Sequence, residues 1–165
     1  MPVLLLVVAF CIAYFLYKSK NPLKRGVAVK PTFAPYVLAA PNAAPACHWG
    51  DGGRYGVEVV VESAFQGAIR ELAGAHGDSA AAVKTVAIML PDDLNPYDGK
   101  AVAVFVEGRM VGYLALEDAL DLRGKLGRKG LPGAPSSCDA MLRGGGLWQG
   151  KRLAYNVVLD IPPVD

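Results

Sequence analysis

Six β-prone apolar runs, two short amphipathic segments and one long uncharged stretch at the N-terminus predict a mainly β (α+β) domain carried behind a single transmembrane helix. At 165 residues the chain holds one domain with a modest core plus an appendage. A composition of 53% apolar and 19% charged residues is oily for a soluble domain, and the excess sits at the front.

Val3 to Tyr17 carries no charge, and Lys18-Ser19-Lys20 stops the run. Counted from Met1, the stretch reaches roughly 25 Å at about 1.5 Å per residue, the short end of a membrane span. A cleaved signal peptide needs a positive start and a small-residue cleavage site, and the sequence offers neither. Phe10 before Cys11 argues against lipoprotein processing, and a core helix would have no adjacent sequence to cover it. Lys18, Lys20, Lys24, Arg25 and Lys30 follow with no acid before Asp51, so the positive-inside rule places the N-terminus outside and the C-terminal domain in the cytoplasm. The same cations suit anionic headgroups. Residues 18–53 read as a linker, because Pro22, Pro31, Pro35, Pro41 and Pro45 oppose a helix and Gly50-Asp51-Gly52-Gly53 ends the stretch. The domain then covers 54–165.

Tyr55 to Val61 is the first strand. Ser63 and Gln66 form a capping box for a helix whose apolar stripe is Phe65, Ile69 and Leu72, ended by Gly74 and Gly77. Val83 to Leu90 is the second strand. Ala101 to Val106 and Met110 to Leu114 make a hairpin, with Gly108-Arg109 expected as a type II′ turn because Gly stands first. Glu117 to Leu126 reads as a second helix, acidic at its start and basic near its end, in accord with the helix dipole. A Gly/Pro loop leads to strands at Ser137 to Arg143 and Arg152 to Leu159 around a Gly144-Gly145-Gly146 turn. Six strands and two short helices suit a small SH3-like or OB-like β-barrel. Trp148 is expected to cover one of its ends.

The chemistry-bearing stretch is Asn95-Pro96-Tyr97-Asp98 before the hairpin. Pro96 fixes its own φ and pushes Asn95 toward extended backbone, while Asn and Asp offer local side-chain hydrogen bonds. A stiff turn presenting a phenol beside a carboxylate makes a binding surface rather than a catalytic one. On the residues alone, Tyr97 and Asp98 either meet a ligand or serve the turn and the barrel surface.

Asn95-Pro96-Tyr97-Asp98-Gly99-Lys100-Ala101-Val102, followed by Val111-Gly112-Tyr113-Leu114, resembles the HIRAN domain, a small β-barrel module of fork-remodelling helicases and short bacterial and phage proteins. Val59 to Gly67 and the strand from Arg152 to Leu159 also resemble family segments, so the likeness runs from about residue 55 to 162. It implies capture of the 3′ end of single-stranded DNA. Asp98 would accept a hydrogen bond from the terminal hydroxyl, Tyr97 would line the pocket, and Asn95, Tyr113 and Phe65 would complete the binding set. DNA-end binders place Arg and aromatic residues at the end of the first strand, where this chain has Ser63-Ala64-Phe65. Phe65 also belongs to the helix stripe, and Tyr113 reads equally as a half-buried strand tyrosine.

Charge bears on the ligand. From residue 51 onward there are 12 basic and 15 acidic side chains, a net of −3, whereas nucleic-acid binders carry a basic footprint. Arg123-Lys125-Arg128-Lys129 and Arg143-Lys151-Arg152 read as solvated patches. The sequence holds no phosphate-cradling loop, no G-x-S-x-G and no H-E-x-x-H. Cys11, Cys47, Cys138, His48 and His76 lack metal spacing, and Asp92-Asp93 with Asp98 reads as a solvated turn. The expectation is a membrane-tethered, non-catalytic binding module without cofactors or metal. Its partners are the membrane (one span) and either single-stranded DNA ends or a protein, with the oligomeric state left open.

Overall fold

The computed structural model describes Tyr36, residues 38–60 and residues 63–164. The expected anchor at 1–17, the basic cluster at 18–30 and Cys11 lie outside the described residues, among which no helix is long and apolar enough to cross a membrane.

The described elements run β1 (His48–Trp49), β2 (Val57–Glu58), a 3-10 turn (Ser63–Phe65), α1 (Gln66–Ala73), β3 (Ala81–Pro91), β4 (Val102–Val106), β5 (Arg109–Tyr113), α2 (Leu116–Arg128), β6 (Ser136–Gly144), β7 (Leu147–Trp148), β8 (Lys151–Arg152) and β9 (Tyr155–Leu159). Among the described residues the protein is mainly β, with two α-helices. Its main sheet has the order β2-β9-β6-β3-β4-β5, every pair antiparallel. β1 joins β6 in parallel at Ser137 and Cys138, beyond the end of β9.

The sheet curls into a half-barrel because the chain from Val57 to Val60 serves both of its edges. Val57 and Glu58 pair with β9, and Val59 donates to the Val157 carbonyl at 2.9 Å. Val60 then exchanges hydrogen bonds with Tyr113 of β5, at 2.8 and 3.3 Å. That closure requires Gly112. Its φ is +151°, and a Cβ there would stand 2.5 Å from the Val60 carbonyl oxygen.

Inside lie Val57, Val59, Phe65 and Ile69, every residue of β4, and Val157 and Leu159 of β9. α2 adds Ala119, Leu122 and Leu126 at helical spacing. The apolar stripe expected of α1 is there: Phe65 and Ile69 are buried, and Leu72 packs half-buried against the core.

Several local expectations are corrected. The β4–β5 turn is Glu107-Gly108, not Gly108-Arg109: Val106 pairs with Arg109, and φ is positive at both turn residues (49° and 74°). That is a type I′ turn, whose twist matches the strands it joins. The register slips by one between Val104 and Phe105, leaving Val111 as a bulged residue. α1 has no side-chain cap. Gln66 is occupied elsewhere, its amide pairing with both the N–H and the carbonyl of Tyr155 at 2.9 and 3.0 Å. Among the described residues there are nine strands rather than six, since β1 falls in the expected linker and β7–β8 form a small hairpin within the expected Gly-rich turn. The final strand starts at Tyr155 rather than Arg152 because Lys151 and Arg152 belong to that hairpin. Trp148 covers no barrel end; it is 63% exposed.

The second half of the expected linker is built into the domain. Residues 35–165 form one compact unit, and Leu38, Ala40, Cys47 and Trp49 pack on the core. Composition reads as linker there, but Ala46 donates to the Pro135 carbonyl and Cys47 accepts from Ser137. Asp51, Gly53 and Tyr55 all turn their N–H groups onto the buried Asp160 carboxylate, at 2.9 to 3.4 Å. Burial pushes the Asp160 carboxyl up, but these donors outweigh it and hold it below the usual range.

Candidate functional site

The turn between β3 and β4 is tied at its base by Asp92, whose N–H donates to the Ala101 carbonyl at 2.9 Å. Asn95 organises its tip. The Asn95 side-chain oxygen accepts the N–H groups of Tyr97 (2.9 Å) and Asp98 (3.2 Å), an Asx turn of the kind the sequence suggests. The Asn95 amide nitrogen donates to the Tyr113 hydroxyl at 3.3 Å and to Asp92 Oδ2 at 3.4 Å. Asn95 is thereby committed to internal bonds and positions the turn. Asp98 Oδ1 takes the Lys100 N–H at 2.8 Å, and its carbonyl takes the Ala101 N–H at 3.0 Å. Among the described residues Asp98 Oδ2 has no protein hydrogen bond, and the carboxylate is exposed. Tyr97 is 68% exposed and does not pack on the sheet.

Tyr113 and Phe65 lie beneath. The two rings meet edge to face, centroids 6.4 Å apart and planes at 72°. Phe65 is 4% exposed, so it supports Tyr113 from the core rather than offering a ring to a ligand. Of the five residues picked from the sequence, Tyr97 and Asp98 are outward, Asn95 and Tyr113 are half-buried and hydrogen-bonded to each other, and Phe65 is inside.

Three residues of the site were not picked out from the sequence. Arg123 of α2 lies across the base of the turn, donating from Nε to the Lys100 carbonyl (2.8 Å), from Nη2 to the Ala101 carbonyl (2.7 Å) and from Nη1 to Asp93 Oδ1 (2.7 Å). Its side chain is only 16% exposed, so it is no solvated patch. Asp92, expected in a solvated turn, is 3% exposed. Tyr36 donates to Asp92 Oδ1 at 3.4 Å, and burial together with that carboxylate pushes the phenol up from its ordinary value. Arg123 had a faint signal, as the most internal cation of the α2 run; Tyr36 had none.

Two other features stand apart from this turn. An open recess of about 540 Å³ lies between Glu58, Val60, Gln66, Asp118 and Tyr155. Burial, then the neighbouring acids Asp121 and Glu117, raise the Asp118 carboxyl against a lowering hydrogen bond from Val164. His48 Nδ1 lies 3.0 Å from Ser137 Oγ, and its Nε2 lies 3.8 Å from Asp139 Oδ1. Ser137 is embedded in the sheet with its N–H spent on the Cys47 carbonyl, so the pair latches β1 to β6. No group of three or more His, Cys, Asp or Glu side chains among the described residues could hold a metal ion.

Compared with known proteins, the chain matches no family model, no curated protein and no solved structure.

Proposed function

We propose that the half-barrel is a HIRAN-like, SH3- or OB-type binding module, tethered to the membrane by residues 1–17 with its domain in the cytoplasm. Its 92–101 turn takes the 3′-hydroxyl end of single-stranded DNA. The observation that carries this reading is the pairing of an outward phenol, Tyr97, with an Asp98 carboxylate whose Oδ2 has no hydrogen bond among the described residues, on a turn held by Asn95 and Arg123. A ring of this kind stacks on a base irrespective of sequence, and a carboxylate accepts from a hydroxyl while repelling a phosphate. The work is binding, without covalent chemistry or cofactor. In a titration of labelled single-stranded DNA into the full chain in detergent, Asp98→Asn is expected to weaken binding ten-fold or more, an effect of roughly 1.5–3 kcal/mol. Undiminished binding by that variant counts against the site.

Charge favours a second reading, a protein-assembly module on the same barrel. The net is −3 from residue 51 onward, and with Arg123 committed to internal bonds the one exposed cation within the 92–101 turn that can neutralise phosphate is Lys100. A protein partner captured from nuclease-treated lysate with equal yield by Asp98→Asn would decide for it.

A further inference from the structure

β3 has 11 residues, which at about 3.3 Å each places its two ends roughly 30 Å apart. The 92–101 turn follows one end. At the other, where Ala81 pairs with Gly144, stands the β7–β8 hairpin. Leu147 pairs with Arg152 and Trp148 with Lys151 around Gln149-Gly150, whose φ values of 48° and 75° make a tight type I′ turn. The hairpin is firmly seated. Leu147 donates to the Asp78 carbonyl and Leu153 to the Gly146 carbonyl, both at 2.9 Å. Arg152 holds the carbonyls of Gly77 and Gly145 at 3.0 and 2.8 Å, with Asp78 Oδ1 at 3.4 Å. On that seat Leu147, Trp148 and Leu153 are 46%, 63% and 50% exposed, with Lys151 and Arg143 exposed nearby.

We propose that this hairpin rests in the headgroup layer of an anionic bilayer, with Trp148 and Leu153 of one face entering the interface and Lys151 and Arg143 meeting lipid phosphate and carboxylate. The inference rests on the membrane-tether reading above. An indole is suited to the interface, apolar on its face and polar at its N–H. A preformed hairpin presents Trp148 and Leu153 on the face of Lys151, with Leu147 on the face of Arg152, and leaves little to order on binding. Charge selects the partner: Arg152 matches Asp78, and Lys151 and Arg143 outnumber Glu58, which is held by Asn156 opposite Arg143, so among the described residues the face keeps the positive sign that the cytoplasmic leaflet attracts. Fully extended, residues 18–35 would span roughly 60 Å at about 3.5 Å each, about twice the length of β3, which separates the Asp92 end where Tyr36 is bonded from the hairpin.

The test uses the full chain reconstituted in vesicles of phosphatidylcholine and phosphatidylserine. The chain has two tryptophans, so Trp148 emission is the difference between the wild type and Trp148→Phe. The expected result is loss of most of that emission to lipids brominated on the acyl chain, with shielding from acrylamide. Lys151→Glu combined with Arg143→Glu should reverse both effects. Flotation of the Lys151→Glu, Arg143→Glu variant with the vesicles reports the tether separately. A chain that floats while Trp148 stays as open to acrylamide as in detergent overturns the hairpin proposal and leaves the tether standing. A chain that does not float overturns both. Shielding that appears only when single-stranded DNA is added overturns the lipid assignment.

Discussion

Arg123 donates to Asp93 at 2.7 Å while the same guanidinium holds the carbonyls of Lys100 and Ala101, so one side chain of α2 joins both arms of the turn that carries Tyr97 and Asp98. A planar fork with several fixed donors makes this clamp, and a lysine cannot reproduce it. Arg123→Lys and Arg123→Ala should both lower stability, the alanine by roughly 1.5–3 kcal/mol since hydrogen bonds to a charged group are lost. Both should weaken ligand binding further than the stability change explains, because the turn loosens. Denaturant unfolding together with ligand titration separates the two effects.

Gly112→Ala is expected to be among the most damaging single-methyl changes. Its Cβ would press on the Val60 carbonyl at 2.5 Å and on Val59 Cγ1 at 2.7 Å, at a backbone φ that disfavours any side chain. Overpacking and strain together suggest a loss on the order of 3 kcal/mol. Amide exchange should show the Val60–Tyr113 hydrogen bonds opening first.

Asp160 sets an acid limit on the fold. Its carboxyl is held below the ordinary value by N–H donors from Asp51 to Tyr55. A folded value below the unfolded one means that the stabilisation is complete above about pH 3.9 and fades as pH falls from there through the folded value. Asp160→Asn should therefore cost about 1–3 kcal/mol at neutral pH, with the gap to the wild type closing in acid. Thermal unfolding of both proteins across pH 2 to 7 checks the sign.

Cys138 is buried in β6 against Trp49 of β1. Burial, with Asp139 and Asp160 adding to it against one backbone hydrogen bond, pushes its thiol up to about 12. Since the thiolate is the nucleophile, Cys138 should resist alkylation near pH 8 until the chain is unfolded. Mass spectrometry after iodoacetamide treatment, with and without guanidinium, reads this directly.

The sequence made the regular elements legible because each carries a local signal. Both helices follow from helical spacing, β3 and the β4–β5 hairpin from β-prone apolar runs and a glycine turn, with every residue of β4 buried, and the Asx geometry of Asn95 and Asp98 follows from their place around Pro96 and Gly99. Features made by distant partners were not legible. β1 has two residues in an Ala/Pro-rich stretch and exists because β6 offers it an edge. Asp51-Gly52-Gly53 looks like the end of a linker until Asp160, more than a hundred residues on, collects its N–H groups. The rule that puts Gly first places the β4–β5 turn one residue late, because it ignores the strand pairing that sets Val106 against Arg109 around Glu107-Gly108. At the candidate site the outward pair was readable from the motif. The Arg123 clamp and the Tyr36–Asp92 contact were not, since nothing local in the sequence links residues 22 to 56 positions apart.

Fluorescence anisotropy of the full chain in detergent micelles, with single-stranded DNA ending in either a 3′-hydroxyl or a 3′-phosphate, decides whether the Tyr97–Asp98 turn reads a DNA end. End recognition by Tyr97 and Asp98 requires micromolar binding that prefers the hydroxyl by at least ten-fold, falls in Tyr97→Ala by roughly 1–3 kcal/mol and disappears in Asp98→Ala. Equal affinity for the two ends, or no binding at low salt, would contradict it.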